Sequence, residues 1–489
     1  MDNNLISNTD NWVAGKDYPE FFDEISLSTI SKGYLLPGET PKTAYRRVAK
    51  AASMRLKKPE LENKFFKLIW NGWLGLASPV LSNMGTDRGL PISCFGVDTP
   101  DSVRGIGLTN AELMKLTSQG GGVGISLSRI RGRGTEISGN GKSEGVVPWA
   151  KIYDSTIVAT NQGNVRRGAA SVNLDINHTD ISEFMQIRRP KGDPNRQCLN
   201  LHQCVVADDA FMRKLEARDQ EAMGLWAEIL KSRMETGEPY IMFKDNVNKN
   251  NPISYAMNNL EVSMTNICTE ITLFTDEEHS FICCLSSLNL AKYDEWKDTD
   301  AVELSTWFLD GVMQEFIDKS SGRESLKRTY SHARKGRALG LGVMGWHTFL
   351  QQKNLPFNSI ASTAHTHNIF SNIKYKAEKA SRDLAAEYGE PLWCKGTGMR
   401  NTHVLAVAPT VSNSVITGGI SAGIEPLPAN IYTFNGAKGT FIRKNKSLEV
   451  LLESKGKNQD KWWDQMLAQD GSVMGLPDDV LTPEEKEIY

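Results

Sequence analysis

The stretch NICTEITL, residues 266–273, sets an amide, a thiol and a carboxylate at every second position: Asn266, Cys268 and Glu270. On an extended strand, residues i, i+2 and i+4 face one side. This spacing therefore predicts that the three groups converge on one surface. A thiol beside a carboxylate makes a poor thiolate, because nearby negative charge raises a cysteine pKa. That argues against a cysteine-protease nucleophile. It suits a neutral thiol, or a thiyl radical that abstracts hydrogen while the carboxylate takes a proton from substrate. The same triplet also fits a half-buried strand with unrelated polar residues.

The chain has seven cysteines: Cys94, Cys198, Cys204, Cys268, Cys283, Cys284 and Cys394. An odd number in a long chain does not describe a disulfide framework. Cys198, His202 and Cys204 form a CLNLHQC cluster that could be half of a metal site. No second half exists, so core or surface packing is the better reading and no metal ligand set is expected. The glycines of SQGGGVGISLSR, 118–129, precede a strand instead of opening a helix, which is wrong for a dinucleotide fold. GNGKS has Glu136 where a phosphate-binding loop needs its first glycine. These glycines are expected to serve tight turns and close backbone approach.

Elements must position these groups. The first ~75 residues read as helical, with Thr40 or Pro41 starting one helix. From Ser78 onward, strand-like runs (VGISLSRI, ASVNLDI, QCVVAD, YIMFKD, ICTEITL, CCLSSLNLA) alternate with helical ones, which predicts parallel pairing and right-handed crossovers. The 489 residues allow a large α/β barrel or two to three domains. A net charge of -2 gives no global basic field, so no direct nucleic-acid partner is expected. No apolar run reaches the ~18 residues of a membrane span, and the first residues lack the pattern of a signal peptide. A cytoplasmic protein with no membrane partner is expected.

One family fits these pieces in order. SPVLSNMGTDRGLPISC (78–94), RIRGRG (129–134), NVRRGAAS (164–171), NICTEI (266–271), CCLSSLNL (283–290), RALGLGVMGW (337–346) and APTVSNSVITGGISAGIEPLPAN (408–430) together resemble the catalytic large subunit of class I ribonucleotide reductase. The resemblance implies an α/β fold: a ten-stranded barrel over 78–489, incomplete at its C-terminal end, behind a helical region over 1–77. It implies that Cys268, at a loop tip inside the barrel, is the thiyl-radical residue that removes the ribose 3′ hydrogen. Glu270 would be the general base on the 3′ hydroxyl, and Asn266 the partner of the 2′ and 3′ hydroxyls. Cys94 and Cys283 would be the reducing dithiol, with Cys284 a structural neighbour. Substrate phosphate would sit on Thr410, Ser412, Asn413 and Ser414 at a helix start, with Ser78 and Ser93 opposite. Val411 stands where some relatives carry an acidic residue.

The resemblance further implies ATP or dNTP effectors bound around Asp101 and Arg131 at a homodimer interface, with Arg166 in the loop that signals to the substrate base. The expected partners are a ribonucleoside diphosphate, a small subunit whose metal-radical cofactor acts in trans, and thioredoxin or glutaredoxin as reductant. The chain itself would hold no cofactor. Its start leaves no room for an ATP-cone domain. After Asn430 there is no cysteine and only Tyr432 and Tyr489. The family's tyrosine relay and cysteine tail are therefore expected on a complementing C-terminal fragment, and LTPEEKEIY should begin a helix. Two alternatives remain at this stage. One is an adenosylcobalamin-dependent class II enzyme, which typically reads NPCGE where this chain reads NICTE. The other is a non-catalytic nucleotide-binding subunit.

Overall fold

Short runs of β-branched and small residues become strands, and each is buried along its whole length where it is covered on both faces. They are β1 (Leu74–Leu76), β2 (Cys94–Asp98), β3 (Gly122–Ser126), β4 (Ala169–Asp175), β5 (Leu201–Ala207), β6 (Tyr240–Phe243), β7 (Phe281–Asn289) and β8 (Leu339–Met344). The computed structural model describes residues 11–160, 168–436 and 439–489. Among these residues the eight strands form one mixed sheet in the order β1-β7-β2-β3-β4-β5-β6, with β8 also on β7. β2 to β6 run parallel, joined by helices such as Val103–Ser118 and Val147–Thr160. β7 reverses against β2 and β1, and β8 is parallel to β7. Uniform parallel pairing therefore fails on both β2 and β1 where they meet β7. The barrel expected to have ten strands has eight in this sheet among the described residues, with β6 paired on one side only.

One predicted strand is absent. ICTEITL is a loop with a turn at Ile267–Thr269. Thr269 takes a left-handed backbone with φ 65°, and its N–H donates to the Asn266 carbonyl at 3.2 Å. The Asn266 side-chain oxygen accepts the Ile271 N–H at 3.1 Å. Local side-chain bonds thus replace the ladder that a strand would need. This loop crosses directly over β3. A Cβ on Gly124 would lie 2.2 Å from the Thr265 carbonyl oxygen, so only glycine permits the approach. Asn173 on β4 anchors the crossing: it donates to the Thr265 carbonyl at 3.2 Å and accepts the Thr265 N–H at 3.3 Å.

The N-terminal helices pack outside this sheet. Pro41–Arg55 begins as expected, with a capping box at Thr40. It lies against the long helix Ala301–Ser320, where Gly311 faces the Ala52 carbonyl too closely for a side chain. A second, smaller core gathers Ile431, Leu448, Leu452, Trp463, Met466 and Leu481 beside the hairpin β9 (Ile431–Gly436) and β10 (Gly439–Lys444). The predicted last helix is one turn, Pro483–Lys486, capped by Thr482 and Glu485. Among the described residues, no helix is long and apolar enough to cross a membrane.

Candidate active site

The β2–β7 seam brings two cysteines together. Cys94 and Cys283 are direct partners in the antiparallel register. Directly opposed residues have Cα atoms about 4.5–5.5 Å apart, inside the roughly 4.4–6.8 Å that a disulfide spans. Both are buried. Alternation along β7 turns Cys284 to the opposite face, where its thiol donates to the Leu309 carbonyl at 3.5 Å. Gly340 on β8 leaves room for Cys283, because a Cβ there would sit 2.9 Å from the sulfur. Burial, then the neighbouring Cys94, Cys284 and Glu270, push the Cys283 thiol well above the ordinary range. A thiol so placed stays protonated at neutral pH.

The loop that replaced the predicted strand lies against this pair. Glu270 Oε1 is 4.0 Å from Cys94 Sγ, a long thiol–carboxylate contact. Its other oxygen accepts from Asn266 Nδ2 at 2.8 Å. Cys268, at the turn, is exposed. A cleft of about 280 Å³ joins these elements; its walls include Ser78, Ser93, Cys94, Cys268, Glu270, Thr410, Ser412 and Asn413. One cleft thus unites groups that the sequence places more than 300 residues apart.

Three expected residues stand behind the walls. Cys283 is covered by the seam. Asn266 is fully buried, its amide spent on Glu270 and on the Ile271 N–H. Ser414 is buried and donates to the Val411 carbonyl at 3.1 Å. Thr410 precedes the short helix Val411–Ile416 in a left-handed conformation. Its hydroxyl oxygen accepts the Gly423 N–H at 2.8 Å, so its own proton is left to donate.

The effector residues lie elsewhere. Asp101 and Arg131 pair at 2.8 Å and are each about one-third exposed. Arg166 lies outside the described residues. The CLNLHQC cluster has no metal-site geometry. His202 Nδ1 is instead 2.5 Å from Glu238, and burial pushes the Cys198 and Cys204 thiols up to about 12.

The cleft also holds residues that sequence reasoning missed. Tyr34 reaches in from the helical region, and Ser286 and Ser287 line it from β7. Ser287 shares the strand face of Cys283, so β7 periodicity could have found it, whereas Ser286 alternates to the other face. Tyr34 carried no local signal.

The comparisons with known proteins agree with this geometry. The family model described as the ribonucleotide reductase barrel domain matches residues 92–223, 217–396 and 392–489. The model for the all-alpha domain of the same enzymes matches residues 20–89. A ribonucleoside-diphosphate reductase large subunit assigned in Frog virus 3 is 38% identical, over 88% of this chain and 78% of its own length. The large subunit of Invertebrate iridescent virus 3 is 31% identical, over 96% and 84%. Among solved structures, the Actinobacillus ureae class Id ribonucleotide reductase alpha subunit superposes with a TM-score of 0.89 at 39% identity, covering 97% of this chain and 86% of that one. The chain belongs to the ribonucleotide reductase large-subunit family.

Proposed function

We propose that this chain is an oxidoreductase that converts ribonucleoside diphosphates to deoxyribonucleoside diphosphates, with Cys268 as its radical residue. The observation that carries this reading is the convergence of Cys268, Glu270 and Cys94 on one cleft, with Cys283 opposed to Cys94 behind its wall. The balance is simple. The ribose loses its 2′ hydroxyl as water and gains a hydrogen there. The two electrons come from two thiols, which end as a disulfide. Cys268 as thiyl takes the 3′ hydrogen and returns it at the end, so it is not consumed. Glu270 takes the 3′ hydroxyl proton. Asn266 holds that carboxylate, and would contact the 2′ and 3′ hydroxyls only by exchanging its bond to Glu270. The high proton affinity of Cys283 keeps a hydrogen on sulfur until the reduction uses it.

The one-electron oxidant that makes the thiyl comes in trans from the metal-radical cofactor of a small subunit. Thioredoxin or glutaredoxin, or a cysteine-bearing C-terminal fragment, would reduce the disulfide. The phosphates would lie on Thr410, Ser412, Asn413 and Ser414, facing Ser78 and Ser93. A homodimer is supported by helices Val103–Ser118 and Val147–Thr160, which expose Val103, Leu108, Met114, Ile152 and Val158 on their outer sides. Asp101 and Arg131 lie close by in sequence, as an ATP or dNTP effector site at that interface requires. The deciding experiment mixes this chain with small subunit, the complementing C-terminal fragment expected to carry the tyrosine relay, and dithiol, and follows deoxynucleotide formation. Wild type turns over, and Cys268→Ser does not. Turnover by the serine variant would overturn the assignment.

A further inference from the structure

Among the described residues, the walls of the cleft carry no lysine or arginine, and the one charged side chain is Glu270. A diphosphate bound there meets no cation among the described residues. Neutral donors must hold it, and the quality of each donor then matters. Of the side-chain hydroxyls that stay neutral at pH 7, the tyrosine phenol is the most acidic donor, with an ordinary pKa near 10. Hydrogen bonds to charged groups strengthen when the donor is good and its surroundings are dry.

Tyr34 meets this need. It lines the cleft from the turn after helix Glu24–Ser31, and it is buried with 5% exposure. Its hydroxyl lies 3.1 Å from Ser78 Oγ. Ser78 opens the helix Ser78–Asn83 on the same wall. The backbone on either side of Tyr34 is clamped by one side chain. Arg88 donates from Nη2 to the Gly33 carbonyl at 2.8 Å and from Nη1 to the Leu35 carbonyl at 3.1 Å. Glu39 accepts the Leu36 N–H at 2.8 Å and also grips Arg47, which fixes the next residues. A loop tyrosine held this way presents its hydroxyl with little entropy left to lose.

We infer that Tyr34 is a substrate-positioning residue: its phenol and the Ser78 hydroxyl form a paired donor for the phosphates of a ribonucleoside diphosphate. The inference rests on the phosphate placement proposed above. The helical region would thereby take part in substrate binding as well as in packing. Phosphate binding would exchange the Tyr34–Ser78 bond for two bonds to phosphate oxygens, with no atom moving further than a hydroxyl rotation. Arg88 acts through the backbone and touches no substrate.

The test is equilibrium binding to the purified chain, which needs no turnover. The ligands are a ribonucleoside diphosphate and the same nucleoside without phosphate. Tyr34→Phe removes one oxygen and keeps the ring. It should weaken the diphosphate about 10-fold to 100-fold, the range for a hydrogen bond to a charged group. The bare nucleoside should bind as to wild type. In the holoenzyme, KM should rise while kcat stays within a few-fold. Unchanged diphosphate affinity would overturn the inference, and so would equal weakening of both ligands, the mark of a merely structural role. Arg88→Lys removes the double clamp and leaves the phenol in place. It should give a smaller loss, still confined to the diphosphate, and decides the matter if the phenylalanine variant does not fold; no selective loss there overturns the inference. Ser412→Ala separates the two levels. If it weakens the diphosphate and Tyr34→Phe does not, only the inference fails. If neither does, the phosphate placement itself is wrong.

Discussion

Replacing Glu270 by Gln removes a charge and leaves the shape of the side chain almost unchanged. Asn266 Nδ2 donates to Glu270 Oε2 at 2.8 Å, and a glutamine carbonyl can accept the same bond. The loop is otherwise held by Asn173, by the Ile271 N–H on Asn266 and by the Thr265 hydroxyl on the Ile271 carbonyl at 2.9 Å. None of these involves Glu270, so the fold should stand. What disappears is the proton acceptor. Positioned general bases contribute about 10²–10⁴ in rate, or about 3–5.5 kcal/mol of barrier. Turnover should fall by that factor while affinity for the diphosphate is kept. The charge has a second effect. Glu270 is one of the groups holding the Cys283 thiol high, after burial, Cys94 and Cys284. Neutralising it should shift that thiol downward, by less than burial contributes. The assays are deoxynucleotide formation in the reconstituted enzyme and the pH dependence of Cys283 alkylation, read by mass spectrometry. Expected are a 10²–10⁴-fold loss and alkylation moved to lower pH. Turnover within tenfold of wild type would refute the proton-acceptor role, and an upward move of alkylation would refute the electrostatics.

Cys268→Ser should abolish turnover and leave the melting temperature close to wild type, since the turn is exposed; calorimetry beside the activity assay checks both. One round of turnover without added reductant should leave a Cys94–Cys283 disulfide in peptide maps, and Cys94→Ser should leave none. Asp310→Ala should cost about 3–5 kcal/mol of stability. It strands the buried Arg337 and the partly buried Arg400, which donate to that carboxylate at 2.8–3.1 Å, and denaturant titration measures the loss. Acid should destabilise the fold through the buried His332 and the half-buried His403. Burial, then His279 and His403, hold His332 at about 3, and burial holds His403 at about 4. Each is neutral in the folded state and takes a proton on unfolding below ~6.5. Stability should therefore be full above that pH and fall as pH drops toward 4, by up to about 1.4 kcal/mol per pH unit per histidine. His332→Phe should flatten this slope in melting curves taken between pH 7 and 4.5.

The sequence alone determined the elements with strong periodicity and the chemistry of the key residue types. Thr40 and Pro41 marked a helix start because capping and proline geometry are local. The runs that became β3, β4, β5, β6 and β7 were legible because apolar and β-branched residues cluster where a sheet is covered on both faces. The thiol–carboxylate alternation around Cys268 was legible as an unusual pairing, but its conformation was not. Strand and loop spacing look alike over six residues. The choice was made by contacts from distant chain: Gly124 giving the loop room and Asn173 anchoring it. The β2–β7 seam was equally hidden. Alternating strands and helices predict parallel neighbours, and the reversal of β7 that opposes Cys94 to Cys283 depends on how the whole sheet curls. Tyr34 was invisible because its partner Ser78 and its clamp Arg88 lie 44 and 54 residues away in sequence. Local propensity and patterning are short-range quantities, whereas a cleft is defined by which long-range pairs meet. The sequence therefore supplied the reagents, and the tertiary structure decided which of them face one another.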